Sequence, residues 1–126
     1  MKLLLDTHAF LWWLADDPKL RAETREAVAD PKTVVYVSAA SVWEIAVKAR
    51  LGKLEAGSAN LYEEIGANDF LELPISARHA VLAGALPHHH NDPFDRMLIA
   101  QAWMEELTLV TRDAVFEVYG VPTLAA

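Results

Sequence analysis

The sequence predicts an α/β fold, with helices packed on a mainly parallel β-sheet. Two observations lead to this prediction. Short apolar runs, typical of strands covered on both faces, recur along the chain. They alternate with longer helical segments, and crossover helices are what parallel strands need. With 126 residues, 53% of them hydrophobic, the chain suits one ordered domain, spanning residues 1–126.

The first half of the chain begins with a strand. Leu3–Leu5 is a continuous apolar run that ends at Asp6, and a helix over His8–Ala15 follows. Proline, glycine and polar residues bound the later segments. These are predicted as helix Leu20–Asp30, strand Val34–Val37, a helix carrying Ser41–Lys48 and ending at Leu51-Gly52, helix Ala59–Ala67, and strand Phe70–Leu73.

The second half contains the clearest helix start. Asp92 suits a helix cap and Pro93 suits the first helical position, so a helix is predicted from Pro93 to about Leu107. Asp95 then lies in its first turn, where free N–H groups carry partial positive charge. The remaining elements are helix Ser76–Leu86, strand Leu107–Val110, a short helix to Tyr119, and a terminal strand over Val121–Leu124.

The first helix is unusually apolar. It contains the run Phe10-Leu11-Trp12-Trp13-Leu14, and at about 100° per residue these side chains point in all directions. Either the helix is wholly interior or some of these rings face a second surface. We favour a contact with a partner or with a second copy of the chain.

Composition limits the function classes. The chain has no cysteine, so disulfides and thiolate metal sites are excluded. Its net charge of −7 argues against a polyanionic partner, unless bound cations change the balance. Two divalent ions would bring the charge to −3 (−7 + 4). No signal peptide or membrane-spanning run is recognisable, so we expect a soluble, cytoplasmic protein.

Four acids are predicted to gather at one edge of the sheet. Asp6 follows the first strand, Glu44 lies beyond the second, Asp113 follows the fourth, and Asp95 opens the helix that leads to the fourth. In parallel sheets, ligands bind beyond the carboxyl ends of the strands. Each acid also has a structural interpretation. Asp6 and Asp113 are possible caps, Ser41-x-x-Glu44 matches a capping box, and Asp95 is a favourable first-turn charge.

Taken together, the acids favour a metal site. Carboxylates in a cleft repel one another unless a positive charge lies among them. No Lys or Arg recurs at matching places in the apolar segments, so Mg²⁺ or Mn²⁺ is the expected partner. Two such ions hold the attacking and leaving oxygens in many enzymes that cleave phosphodiesters. Asp92 is interpreted first as a helix cap, with a secondary possibility of helping the metal or substrate.

Other polar residues leave alternatives open. His88-His89-His90 is a rival transition-metal site, although adjacent histidines do not converge easily on one ion. His8 and His79 are interpreted as core or surface residues. The remaining candidates are basic. We expect Arg96 and Arg112 either to contact phosphate or to pair with the acids. We expect Lys48, Arg50 and Lys53 either to form a solvated helix end or to follow an RNA backbone.

These segments resemble the PIN domains, and among them the VapC-type toxins of bacterial toxin–antitoxin pairs. The resemblance covers essentially the whole chain. It is carried by Leu4-Leu-Asp-Thr-His8, Ser41-Val-Trp-Glu-Ile-Ala-Val-Lys48, Leu51-Gly-Lys-Leu54, His90-Asn-Asp-Pro-Phe-Asp-Arg-Met-Leu-Ile-Ala-Gln-Ala102 and Val110-Thr-Arg-Asp113. Asn91 departs from the pattern, because relatives often have a basic residue there.

The resemblance implies a three-layer α/β/α fold and a Mg²⁺- or Mn²⁺-dependent endoribonuclease. It assigns Asp6, Glu44, Asp95 and Asp113 as the catalytic, metal-binding acids, and Thr111 as a hydroxyl beside them. It also implies an RNA substrate, a small cognate antitoxin, and a homodimer. The alternative is a non-catalytic binding module in which the acids serve only as helix caps. Neither interpretation involves a membrane.

Overall fold

A computed structural model of the chain describes residues 1–54 and 60–126. It contains one five-stranded sheet with the order β3-β2-β1-β4-β5, and every neighbouring pair of strands is parallel. The predicted α/β fold with its mainly parallel sheet is confirmed. The strands are β1 (Lys2–Leu5), β2 (Val34–Ser38), β3 (Leu71–Leu73), β4 (Thr108–Thr111) and β5 (Thr123–Ala125).

Helices connect the strands as parallel pairing requires. None of the described helices is both long and apolar enough to cross a membrane. A 3₁₀ helix over Ala114–Tyr119 joins β4 to β5. The α-helices are α1 (Thr7–Leu14), α2 (Ala22–Ala29), α3 (Ala39–Arg50), α4 (Leu61–Ala67), α5 (Ala77–Ala85) and α6 (Pro93–Glu105).

Two apolar cores lie on opposite faces of the sheet. Alternate residues of β1 separate into them, with Leu3 and Leu5 in one core and Leu4 in the other. The first core also contains Phe10 of α1, and the second contains Leu98 of α6. A strand covered on both faces is continuously apolar, which is why these short runs indicated strands in the sequence.

Several element boundaries differ from the sequence prediction, two of them for a reason that the packing shows. Helix α2 begins at Ala22, because Leu20 instead turns back, donates its N–H to Asp17 and enters the first core. The terminal strand is shifted to Thr123–Ala125, because Val121 packs in the second core. The predicted start at Ala59 lies outside the described residues, and the described part of that helix begins after the Asn60 cap.

The aromatic side chains of helix α1 differ in how deeply they are buried. Phe10 is fully buried, whereas Trp12 and Trp13 are only partly buried against the same core. The Trp13 indole donates to the Asn68 side chain at 3.0 Å and packs against Phe70, with ring centroids 5.7 Å apart. Trp13 therefore finds partners inside the domain. The expected contact of α1 with another molecule stays a prediction.

The loop between α5 and α6 is organised by one buried arginine. The Arg96 guanidinium donates to four backbone carbonyls over 2.8–3.3 Å, those of Gly84, Leu86, Pro87 and His90. We expected Arg96 to contact phosphate or to pair with the acids. The hydrogen bonds to backbone carbonyls match neither role. The Arg96 side chain instead holds the loop that carries the histidines.

We predict that Arg96→Met destabilises the protein by about 3 kcal/mol. The substitution removes four partly buried hydrogen bonds from a charged donor to the backbone of this loop. Urea unfolding of the two proteins measures the difference in the free energy of unfolding. The control is Arg78→Met, at an exposed position of α5, which should change stability by less than about 0.5 kcal/mol. Equal effects of the two substitutions would contradict the assigned role.

Candidate metal centre

Two of the predicted acids meet at the carboxyl edge of the sheet. Asp6 directly follows β1 and Asp113 lies two residues beyond β4, and these two strands are parallel neighbours. Both residues line one cavity of about 260 Å³, together with His8, Trp12 and Arg112. Sheet topology therefore brings together two carboxylates that are more than a hundred residues apart in sequence.

The cap interpretation of Asp6 and Asp113 is confirmed. Asp6 Oδ1 accepts the Ala9 N–H at 2.8 Å, and Asp113 Oδ1 accepts the Val115 N–H at 3.0 Å. A carboxylate has two oxygens and several lone pairs, so capping and metal binding do not exclude each other. Burial raises the pKa of Asp6, while its bond from Ala9 and the Thr111 side chain lower the same pKa.

The capping-box interpretation of Glu44 is wrong. Ser38 caps α3 by accepting the Ala40 N–H at 3.0 Å, so Glu44 lies in the middle of the helix rather than in its first turn. Its carboxylate is nevertheless almost completely buried. Oε1 accepts the Thr7 hydroxyl at 2.6 Å, and Oε2 lies 2.5 Å from Lys48 Nζ. A buried carboxylate needs a cationic partner or a metal, and in this structure Lys48 is the partner of Glu44.

Lys48 corrects the expectation that no basic side chain lies among the acids. Its ammonium group pairs with Glu44 one helical turn earlier, and this hydrogen bond raises the pKa of Lys48. Asp92 and Asp95 act in the same direction on that pKa. The spacing of four residues between Glu44 and Lys48 is the sequence signal that predicts this pair.

Asp95 is the acid whose protonation is most strongly perturbed. Asp92 caps α6 by accepting the N–H groups of Phe94 at 2.9 Å and Asp95 at 3.2 Å, as predicted. The Asp95 carboxylate lies in the first turn of α6. Burial raises its pKa to about 6, the charges of Asp92 and Glu44 add to this rise, and the contact with His90 opposes it.

His90 is the site residue that the sequence analysis did not select. Its Nε2 lies 2.7 Å from Asp95 Oδ2. One ligand atom each from His90, Asp95 and Asp113 lies within 4.8 Å of the other two. The histidine run does not converge, because the neighbouring His89 ring packs edge-on against Tyr119 at 5.3 Å. The sequence analysis judged the run as a group, whereas a single imidazole five residues before Asp95 was the relevant signal.

His79 and Arg112 have structural partners. Buried His79 completes a capping box with Ser76 and contacts Glu105 at 2.9 Å, which agrees with a core role. Arg112 lies 4.5 Å over the Trp12 ring and donates to the carbonyls of Lys19 and Ala126. Its expected contact with phosphate stays a prediction.

The donor set fits a hard divalent cation. Asp6 and Glu44 lie outside the group formed by His90, Asp95 and Asp113, but the charge of Glu44 raises the pKa of both Asp6 and Asp95. The acids thus share one electrostatic environment in which a cation would relieve repulsion. Carboxylate oxygens suit Mg²⁺ and Mn²⁺, and the imidazole is a further possible ligand.

One protein-family model matches nearly the whole chain. The model of the PIN domain matches residues 3–122. The chain belongs to the PIN domain family. A comparison with the curated proteins finds no match.

Three solved structures have the same fold. One is a chain of VapBC2 from Rickettsia felis bound to a DNA fragment from its promoter, with a TM-score of 0.73 and 17% identity over 98% of each chain. Another is a chain of FitAB bound to the IR36 DNA fragment, with a TM-score of 0.65 and 20% identity over 97% of this chain and 93% of that one. A third is FitAcB from Neisseria gonorrhoeae, with a TM-score of 0.62 and 20% identity over 98% and 96%.

These comparisons confirm the resemblance found in the sequence. The PIN domain and its three-layer α/β fold are as expected, and the neighbours come from VapBC and FitAB complexes.

We predict that Asp95→Asn stabilises the metal-free PIN domain at neutral pH. An aspartate in an unfolded chain loses its proton near pH 4, whereas folded Asp95 keeps its proton up to about pH 6. The folded state binds more protons over this range, so the free energy of unfolding falls as pH rises from about 4 to 6. Asparagine carries no charge and removes this loss.

Unfolding by urea in the presence of EDTA measures the effect. At pH 7.5 the variant should gain about 2 kcal/mol over the parent. At pH 3.5, where Asp95 is protonated in both states, the gain should largely disappear. A gain of the same size at both pH values would contradict the electrostatic explanation.

Proposed function

We propose that this PIN domain is a Mg²⁺- or Mn²⁺-dependent endoribonuclease and the toxin member of a toxin–antitoxin pair. The observation that supports the proposal most directly is the clustering of ligand atoms from His90, Asp95 and Asp113 within 4.8 Å, beside the cavity lined by Asp6 and Asp113. Membership of the PIN family supports a nuclease, and the acidic cluster supports metal dependence.

The assignment of catalytic residues follows from strand-end topology and from the family resemblance, and the clustering of Asp95 with Asp113 supports part of it. Asp6, Glu44 and Asp95 are proposed as the principal metal ligands, with Asp113 supporting the same ion or a second one. When bound, the cation supplies an activated water and stabilises the negative charge that develops on the phosphate. His90 extends the proposed set, because its Nε2 contacts Asp95.

The chain's own groups prepare this site. Asp95 would offer its carboxylate to a cation, and His90 Nε2, 2.7 Å from Asp95 Oδ2, would hold that carboxylate in position. Glu44 must exchange its pairing with Lys48 for the metal, and the Thr7 hydroxyl keeps the carboxylate in position meanwhile. Water attacks phosphorus, the bond to the 3′ oxygen breaks, and the proton lost by the water passes to that leaving oxygen, with a 5′-phosphate product expected from the family resemblance.

The proposed partner is a small antitoxin protein. Support comes from the VapBC2 and FitAB neighbours, both of which are complexes. The partly exposed rings of α1 remain one candidate contact for such a partner. The homodimer expected from the resemblance also stays a prediction.

We predict that Asp6→Asn and Asp95→Asn each lower RNA cleavage by at least about a hundredfold. Asparagine caps a helix almost as well as aspartate, so the fold should survive while metal binding is lost. Cleavage of a labelled single-stranded RNA is measured with Mg²⁺, with Mn²⁺ and with EDTA. Asp30→Asn, at an exposed position after α2, is the control and should cut at the parent rate.

The same variants separate a nuclease from a non-catalytic binding module. In a nuclease, Mn²⁺ should raise the melting temperature of the parent but not that of Asp95→Asn. A module whose acids serve only as caps should show no shift with Mn²⁺ in either protein. Cleavage at the parent rate by both Asp6→Asn and Asp95→Asn would contradict the proposed active site.

We predict that Lys48→Met strengthens Mn²⁺ binding about tenfold. Lys48 neutralises Glu44 in the metal-free protein and therefore competes with the cation for that carboxylate. Calorimetric titration with Mn²⁺ measures the dissociation constant. Lys53→Met, which removes an exposed charge just beyond α3, should have a much smaller effect. An unchanged constant in Lys48→Met would remove Glu44 from the ligand set without affecting the other acids.

A further inference from the structure

An exposed tryptophan directly precedes one of the proposed metal ligands in the sequence. Trp43 on α3 is 63% exposed, although a large aromatic side chain normally contributes to a core. Its indole contacts one ring, that of Phe94, with centroids 5.2 Å apart and planes at 73°. In such an edge-to-face pair, at least one face of the indole points away from Phe94.

Both residues of this pair are sequence neighbours of proposed metal ligands. Trp43 immediately precedes Glu44, and Phe94 immediately precedes Asp95. Helix α3 packs against α6, and the two rings form one contact across this boundary. The exposed indole therefore lies at the junction of the two helices that carry two of the proposed metal ligands.

Because the chain is negatively charged, its binding to RNA would require contacts that do not depend on positive charge. RNA binding usually draws much of its affinity from basic side chains that replace counterions, yet this chain carries a net charge of −7. The nearest basic group on α3, Lys48, is paired with Glu44. Stacking of bases on aromatic rings requires no positive charge, and it tolerates any base because every base has a π-face.

We infer that Trp43 is a stacking platform for a base of the single-stranded RNA next to the cleaved phosphodiester. This inference rests on the proposed ribonuclease function and names the contact that holds its substrate. Phe94 fixes the orientation of the indole, and the indole presents a face to a base while the acids engage the phosphate. Trp43 is a positioning residue in this arrangement, and it takes no part in the chemistry.

The test compares two exposed tryptophans. Trp43→Ala should raise the dissociation constant for a short, labelled single-stranded RNA of mixed sequence about tenfold, measured in an Asp95→Asn background that does not cut the probe. Trp103→Ala removes an equally large ring, 57% exposed on α6, and should leave the constant unchanged. Trp43→Phe keeps an aromatic face and should recover most of the affinity.

Two further readouts separate stacking from a structural or electrostatic role. The slope of log K against log salt should be the same for Trp43→Ala and its parent, because no phosphate contact is lost. In the cleaving enzyme, Trp43→Ala should lower kcat/KM about tenfold and leave kcat at saturating RNA nearly unchanged.

The outcomes are distinct. An enzyme that cuts RNA, but whose Trp43→Ala variant binds the probe as tightly as its parent, overturns the stacking role and leaves the proposed function intact. If light scattering shows that Trp43→Ala dissociates an oligomer, and RNA affinity falls only with that dissociation, a second copy covers the ring and the inference is wrong. A parent protein that neither binds nor cuts RNA overturns the proposed function itself.

Discussion

Repulsion among carboxylates at one edge of an apolar sheet is the constraint on which the rest of this site depends. A parallel sheet buried on both faces presents its strand ends together, so acids that follow different strands are forced into proximity. Without a cation, each carboxylate needs another interaction that reduces this electrostatic repulsion. Asp6 and Asp113 accept backbone N–H groups, Glu44 pairs with Lys48, and Asp95 contacts His90 and keeps its proton up to about pH 6.

This arrangement keeps the metal-free domain folded without removing its capacity for a cation. Each of these interactions is local and reversible. A divalent cation, which carries a higher charge, can replace the proton, the ammonium group or the hydrogen bond at a carboxylate. The raised pKa values of Asp6 and Asp95 mean that burial makes their ionised forms less favourable in the folded state than in water. A protein built only for stability would remove such charges, so their retention agrees with the function proposed for a PIN domain.

Helix capping explains how the sequence can serve two purposes with the same residues. A carboxylate at a helix start is favourable for local folding, and a helix start is also where topology brings the chain to the sheet edge. Asp6, Asp92 and Asp113 are all caps, as their positions before helices predicted. Glu44 is different, because its mid-helix position gives it no capping role, and it remains buried all the same.

The order of strands and helices, the parallel sheet, the aspartate caps and the placement of Asp6 and Asp113 at one edge of the sheet were all determined by the sequence. These features depend on local composition and on strand-end topology, which sequence patterns record directly. Tertiary structure decided which groups face the acids. The pairing of His90 with Asp95, the four carbonyls around Arg96 and the bond between Trp13 and Asn68 depend on how loops and helices pack. No periodicity encodes such contacts, because each depends on distances set by the whole fold.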